Sequence, residues 1–328
     1  MYRRSTLLII ATGCNVLGCA QEAHPVEQGS ATAGLTPGEG YIEVTGGKVW
    51  YEVVGSGTAT PLLLLHGGPG ATSHYLGPLK RLADERPVIF YDQLGCGRSD
   101  RPEDSSLWQI DRFVEELAQV REALSLEKVH ILGHSWGSML VVEYLLTRQP
   151  TGVESLILAG PALSMPRWLE DTTKLVESLP PEIQATLKRH ERAGTTDSAE
   201  YQEAEMEFNR RHLCRLDPWP PEMEQGFEEV GTAVFETMWG PSEFHATGNL
   251  KDFDQTERLS EINIATLLTA GRYDEATPET SAWYQSFISG SRLEIFENSS
   301  HMTMLEEPDH YVQVVREFLH TVDKGTAD

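Results

Sequence analysis

Cysteine is scarce in this 328-residue chain. Of the four, Cys14 and Cys19 lie within the first nineteen positions, and Cys96 and Cys214 stand far apart. So few cannot build a disulfide framework, and Cys96 and Cys214 read as free, partly buried thiols. Basic residues are also short: 26 Lys and Arg stand against 50 Asp and Glu, a formal net charge of −24. Phosphate backbones attract the opposite kind of surface, which excludes nucleic acid as a partner. No apolar run reaches the ~20 residues of a membrane-spanning helix. There is no His-Glu-x-x-His, no phosphate loop and no dinucleotide fingerprint, so neither metal nor cofactor is expected.

What the sequence does contain begins with Arg3 and Arg4, followed by an apolar stretch at 7–17 that Thr12, Gly13 and Asn15 interrupt. That is the anatomy of an export signal. Val16-Leu17-Gly18-Cys19 resembles a bacterial lipoprotein site with Cys19 as the lipidated residue, although Leu17 is bulkier than that pattern prefers. Residues 1–19 are expected to be a leader. Residues 20–40, rich in Gly, Ala, Thr, Ser and Pro, are expected to be a flexible tether. The protein is then exported, periplasmic or membrane-anchored, with a lipid as its only membrane contact.

From Tyr41 the pattern becomes that of a folded domain. Two β-rich runs flank Thr45-Gly46-Gly47-Lys48, a hairpin signal. Continuous apolar runs at 61–65, 88–91, 129–132 and 156–159 suit strands buried on both faces of a parallel sheet. Between them Leu76, Leu79 and Leu82 fall at helical spacing, and Ile110, Phe113, Val114, Leu117, Val120 and Leu124 make an amphipathic helix. Residues 163–250 change character to charged helical stretches broken at Pro180-Pro181 and 218–221. Strand signals return at 265–270 and 293–296, and a helix at 308–321 closes the domain. The expectation is an α/β core at 41–162 and 251–322, its mostly parallel sheet flanked by helices, with a helical cap inserted at 163–250.

Gly133-His134-Ser135-Trp136-Gly137 fits G-x-S-x-G between an expected strand and an expected helix, the context of the nucleophile elbow of the α/β-hydrolase fold. Ser135 is the candidate nucleophile. His66-Gly67-Gly68-Pro69-Gly70 follows an earlier strand and offers backbone N–H groups to an oxyanion. Gly68 is the first candidate donor, with Gly67 its rival, and Trp136 is the second. In this fold the acid and then the histidine follow the nucleophile. Asp274 stands just past one late strand, with Glu275 as the rival acid, and His301 stands past the next. Serine needs a base to take its proton, and the base needs a carboxylate to fix its tautomer. His134 reads as a packing or hydrogen-bonding residue. Trp108, Trp168, Trp219 and Trp239 read either as cavity aromatics or as cap core.

His66-Gly67-Gly68-Pro69-Gly70, the segment from Tyr91 to Ser99 (Tyr-Asp-Gln-Leu-Gly-Cys-Gly-Arg-Ser) and the Ser135 pentapeptide together closely resemble the proline iminopeptidases. Trp239-Gly240-Pro241-Ser242-Glu243-Phe244, the segment 248–254 and Gly271-Arg272-Tyr273-Asp274-Glu275 resemble the archaeal tricorn-interacting aminopeptidase of that group. The likeness covers about 41–319. It implies a serine aminopeptidase that needs no cofactor and releases N-terminal residues, proline among them, from short peptides through an acyl-enzyme. It also implies that Glu243 and Glu275 hold the substrate's free amine, since an ammonium leaving water needs charge and hydrogen bonds in return. The same triad and amine anchor would serve an amino-acid amidase or esterase, and the triad alone a hydrolase of other small esters or lactones.

Overall fold

A computed structural model of the protein describes residues 35–325. The expected leader with Cys14 and Cys19, and the tether up to residue 34, lie outside the described residues. Among the described residues eight strands form one sheet in the order β1-β2-β4-β3-β5-β6-β7-β8. β1 (Gly38–Val44) and β2 (Gly47–Val54) make the expected hairpin, and β2 runs antiparallel to β4 (Val88–Tyr91). From β4 onward every pairing is parallel: β3 (Leu62–Leu65), β5 (Val129–His134), β6 (Val153–Ala159), β7 (Ala265–Gly271) and β8 (Arg292–Phe296).

β1 starts inside the stretch read as tether at 20–40. Gly38 to Gly40 pair with Val53 to Tyr51, Glu39 accepts a hydrogen bond from the Trp50 indole at 3.2 Å, and Leu35 packs against the core. Glycine-rich composition had hidden a strand whose side-chain room is taken by a neighbour: a Cβ at Gly40 would stand 3.1 Å from the Tyr51 ring.

The strands are apolar throughout because both faces are covered. Leu63 and Leu65 face one core with Ile89, Ile131, Leu156 and Leu158; Leu62 and Leu64 face the other with Val88, Phe90, Leu132 and Ile157. The alternation follows from the two-residue period of a strand. α1 (Ile110–Ala123), α2 (Trp136–Arg148) and, further along the chain, α8 (Pro278–Gln285) cover the first face. A 3₁₀ segment at His74–Asp84 and α10 (Pro308–Asp323) cover the second. The spacing of Leu76, Leu79 and Leu82 is three residues, which suits the three-residue turn of a 3₁₀ helix better than an α-helix.

Between β6 and β7 the described chain is helical: α3 (Met165–Glu177), α4 (Pro181–Ala193), α5 (Ala199–His212), α6 (Pro221–Glu228) and α7 (Thr232–Met238). Pro181 and Pro221 stand at the first turns of their helices, where a missing N–H costs nothing. Val176, Leu187, Tyr201, Ala204, Phe208 and Phe244 give this insertion a small core of its own. Its two ends are tied together: Met165 N–H donates to Phe253 O at 2.8 Å and Gln255 N–H to Leu163 O at 3.1 Å. α9 (Thr303–Glu306) follows the loop that carries His301. The loops after β3, β5, β7 and β8 all leave the carboxyl ends of parallel strands, where open α/β sheets bind their ligands.

Candidate active site

Ser135 sits between the last residue of β5 and the first of α2 with φ 54° and ψ −119°, a conformation that is strained for a residue with a side chain. The turn is possible only because its neighbours lack side chains. A Cβ on Gly133 would lie 2.3 Å from Gly137 O, and one on Gly137 would lie 2.3 Å from Leu65 O.

The loop after β3 brings two glycine N–H groups beside this serine, and hydrogen bonding distinguishes them. Gly67 N–H already donates to the Tyr75 hydroxyl at 2.6 Å. Gly68 and Trp136 N–H have no acceptor among the described residues, which leaves that pair for an oxyanion. Tyr75 in turn meets His134 Nδ1 at 2.9 Å, and His134 Nε2 meets the carbonyl of His301 at 3.0 Å. Nε2 faces a carbonyl, so it carries the proton and Nδ1 accepts from Tyr75. Burial pushes the His134 pKa well down, consistent with a neutral ring. Gln93 ties the other side: its amide donates to His66 O at 3.1 Å and accepts from the Trp136 indole at 2.9 Å.

His301 Nδ1 donates to Asp274 Oδ1 at 2.7 Å, and both side chains are buried. Asp274 is fixed by Ala276 N–H at 2.7 Å and Gly271 N–H at 3.3 Å. Burial works against the imidazolium, but the Asp274 carboxylate and the charge of Glu243 outweigh it, and the His301 pKa is raised. Gly160 lies under the ring, where a Cβ would stand 2.8 Å from Cε1 and Nδ1. The His301 loop is also held from the cap. Its N–H donates to His212 O at 3.1 Å and Met302 N–H to Leu213 O at 2.9 Å, at the C-terminal end of α5. Ser135 Oγ and His301 line the same cavity with no hydrogen bond between them, the loose geometry that commonly tightens only around substrate.

Glu243 and Glu275 come to this centre from opposite sides, one from the cap and one from the loop after β7. Glu275 is 1% exposed, and neither carboxyl oxygen has a hydrogen-bond partner. Its Oε1 lies 3.8 Å from His301 Nε2. Glu243 lines the cavity, and its main chain is braced by the Trp168 indole N–H at 2.7 Å and that of Trp239 at 3.4 Å. A third carboxylate that sequence reasoning missed, Glu205 of α5, lines the same cavity. Burial pushes Glu243 up to about 7. Burial, then the charge of Glu243, pushes Glu205 up to about 8. Glu275 is raised well above the ordinary range by burial and by Glu243, Asp274 and Glu205. One buried and two half-buried carboxyl groups that raise one another cannot all ionise readily, and one arriving cation relieves them.

The cavity measures about 210 Å³ and is walled chiefly by Leu213, Met223, Phe227, Phe235 and Met302. The tryptophans do not line it. Trp168 and Trp239 pack edge to face at 5.2 Å, Trp108 is buried against Phe113, and Trp219 stacks on Phe227 at 5.3 Å. Cys96 and Cys214 are both buried and free. Among the described residues no group of His, Cys, Asp and Glu is arranged to hold a metal.

A family model described as the alpha/beta hydrolase fold matches residues 60–308. A proline iminopeptidase of Heyndrickxia coagulans is 49% identical over 288 residues, 87% of this chain and 99% of the relative. The chain belongs to the proline iminopeptidase family of α/β-hydrolases. The crystal structure of a proline iminopeptidase from Mycobacterium smegmatis superposes with a TM-score of 0.81 at 38% identity, covering 89% of this chain and all of that one. The structure of VinJ gives a TM-score of 0.84 at 36% identity, covering 88% of this chain and all of that one. Tyr75, Gln93 and Glu205 are residues of this site to which motif reading gave no role. Tyr75 and Gln93 act through hydrogen bonds made across the fold, which no local spacing announces.

Proposed function

We propose that the protein is a serine aminopeptidase that releases N-terminal proline from short peptides. The observation that carries this reading is Glu275, buried with two unpartnered carboxyl oxygens beside the triad and joined by Glu243 and Glu205. A free ammonium is the group that supplies what these carboxyls lack. The same site would hold an amino-acid amide or ester by its amine. The relatives' names favour the peptide substrate over that alternative.

In this mechanism Ser135 Oγ attacks the carbonyl carbon of the first peptide bond while His301 Nε2 takes its proton. Asp274 keeps the Nδ1 proton in place and stabilises the imidazolium. The N–H groups of Gly68 and Trp136 receive the oxyanion. His301 then protonates the leaving amine, and water, activated by the same ring, hydrolyses the acyl-enzyme. The amine's anchorage confines attack to the first residue.

The test is hydrolysis of prolyl, alanyl and leucyl naphthylamides by the purified protein, each with a free and an acetylated N-terminus. Cleavage of free forms only, lost in Ser135→Ala and led by the prolyl compound, is expected. Equal cleavage of acetylated forms sinks the amine anchor.

The pH profile carries a second expected result. A carboxyl pKa raised to about 7 keeps Glu243 neutral further up the scale, so the loss falls on the acid side. There His301, also raised, becomes protonated and cannot act as base. Below neutrality kcat/KM for prolyl naphthylamide should therefore fall with a slope approaching two, whereas a simple ester, which needs only His301, falls with a slope of one. On the alkaline side the substrate's own amine loses its proton near ~8, which weakens the naphthylamide alone. Parallel acid limbs for the two substrates would reject Glu243 as the ionised partner.

The enzyme is, on this reading, exported and anchored through a lipid on Cys19. Arg3, Arg4, the apolar stretch 7–17 and the Gly18-Cys19 pair support that placement. Radiolabelled palmitate incorporation lost in Cys19→Ser tests it.

A further inference from the structure

The cavity wall holds two uncharged polar atoms that the mechanism does not use. Thr72 Oγ1 and Asn209 Oδ1 are both buried without a hydrogen-bond partner, on residues that are 0% and 6% exposed. Buried polar atoms are nearly always paired, so two left open in one substrate cavity need an account. Their neighbours show the contrast. Ser73, next to Thr72, gives both its N–H and its hydroxyl to Asp92, at 2.9 and 2.7 Å. The Asn209 carbonyl takes the N–H groups of Leu213 and Cys214, so the main chain there is satisfied while the side-chain oxygen is not.

Resting on the aminopeptidase reading, we propose that Thr72 and Asn209 form a subsite for the first peptide group beyond the bond that is cut. Glu205 and Asn209 lie four residues apart on α5, Leu213 caps its C-terminus four residues further on, and all three line the cavity. A helix rises 1.5 Å per residue, so Asn209 stands about 6 Å from Glu205 along the axis. Glu205 marks the amine end. Leu213, whose carbonyl holds the residue after His301, marks the side where the leaving amine takes its proton. An extended peptide advances ~3.3–3.6 Å per residue, so a peptide group two residues past the amine comes level with Asn209. The chemistry is complementary: the carboxamide oxygen accepts an N–H, and the threonine hydroxyl donates to a C=O. A peptide group presents one of each. A naphthylamide or a simple amino-acid amide presents neither at that distance.

Gly226 of α6 stands against the threonine, and a Cβ there would make a 3.4 Å contact with Thr72 Oγ1, crowding the hydroxyl as a substrate carbonyl approaches it. The subsite therefore favours tripeptides and longer chains over dipeptides and arylamides.

The experiment measures kcat/KM of the full chain on Pro-Ala-Ala-amide and on prolyl naphthylamide, for the parent and for Thr72→Val, Asn209→Leu and Gly226→Ala. The expected result is a fall of about five- to tenfold in the ratio of tripeptide to naphthylamide in each variant, the size of one neutral hydrogen bond. Alanine is the better helix former, so Gly226→Ala should melt no lower than the parent while losing tripeptide preference. That combination is one a merely structural role would not produce. A ratio within twofold of the parent in either Thr72→Val or Asn209→Leu overturns the subsite. A parent that cleaves acetylated substrates as well as free ones overturns the aminopeptidase reading itself.

Discussion

Asp274→Asn is expected to lower kcat by roughly 10⁴ on any substrate, whether or not it carries an amine. The neighbours of Asp274 explain why an isosteric change would cost so much. Its Oδ1 accepts from His301 Nδ1 and from Ala276 N–H, and its Oδ2 accepts from Gly271 N–H. An asparagine that turns its NH₂ toward His301 also turns it against Ala276 N–H, and it draws the imidazole into the tautomer whose Nε2 is protonated. Such a ring cannot take the Ser135 proton. An asparagine that keeps its oxygen toward His301 opposes its NH₂ to Gly271 N–H and still removes the negative charge that steadies the imidazolium. Both orientations lose, by different routes. The second leaves a trace, because the charge that raises His301 is gone. The acid limb on a simple ester should therefore move to lower pH. Steady-state turnover of a nitrophenyl ester, followed from pH 5 to 9, checks both parts. A kcat within tenfold of the parent would remove Asp274 from the triad.

Glu243→Ala should cost free-amine substrates about 10²- to 10³-fold in kcat/KM and leave a simple ester within a few-fold. Removing one partner of a buried ion pair costs ~3–5 kcal/mol, most of it the stranded charge left behind. The lower part of that range is expected because the site contains its own compensation. Glu243 helps to raise both Glu205 and Glu275, so its removal lets a remaining carboxyl ionise more readily in its place. The main chain should not move, since the Trp168 and Trp239 indoles hold the residue by its carbonyl. Losses of equal size on the amine substrate and the ester would end the anchoring role.

Much of this site was legible in the sequence because its chemistry is bound to local backbone. Ser135 needs Gly133 and Gly137, and a glycine pair flanking a serine at the end of an apolar run is visible in one dimension. Asp274 and His301 follow late strands in the order the fold imposes. The parallel sheet was legible for a related reason: strands covered on both faces, such as Leu62–Leu65, are apolar at every position. What stayed hidden depends on distance through space. Nothing near Tyr75 says that its hydroxyl will occupy Gly67 N–H, the contact that singles out Gly68. Glu205 sits among five other glutamates between residues 200 and 224, of which Glu222 also lines the cavity, and only the fold separates these two from the rest. The tryptophans were legible only as an open choice. Large aromatics serve equally as substrate wall and as packing, and here they pack, while the wall is built of Met223, Phe227, Phe235 and Met302.

The C-terminal end of α5 gives its last carbonyls to the amides of His301 and Met302. A cap that lifted along this edge would pull on the base at the same moment, so an unlatched enzyme would also be a disarmed one. Those two amides also act as a clock. A hydrogen-bonded amide exchanges its hydrogen when that bond breaks, so the exchange rate of these two would report any parting of the edge.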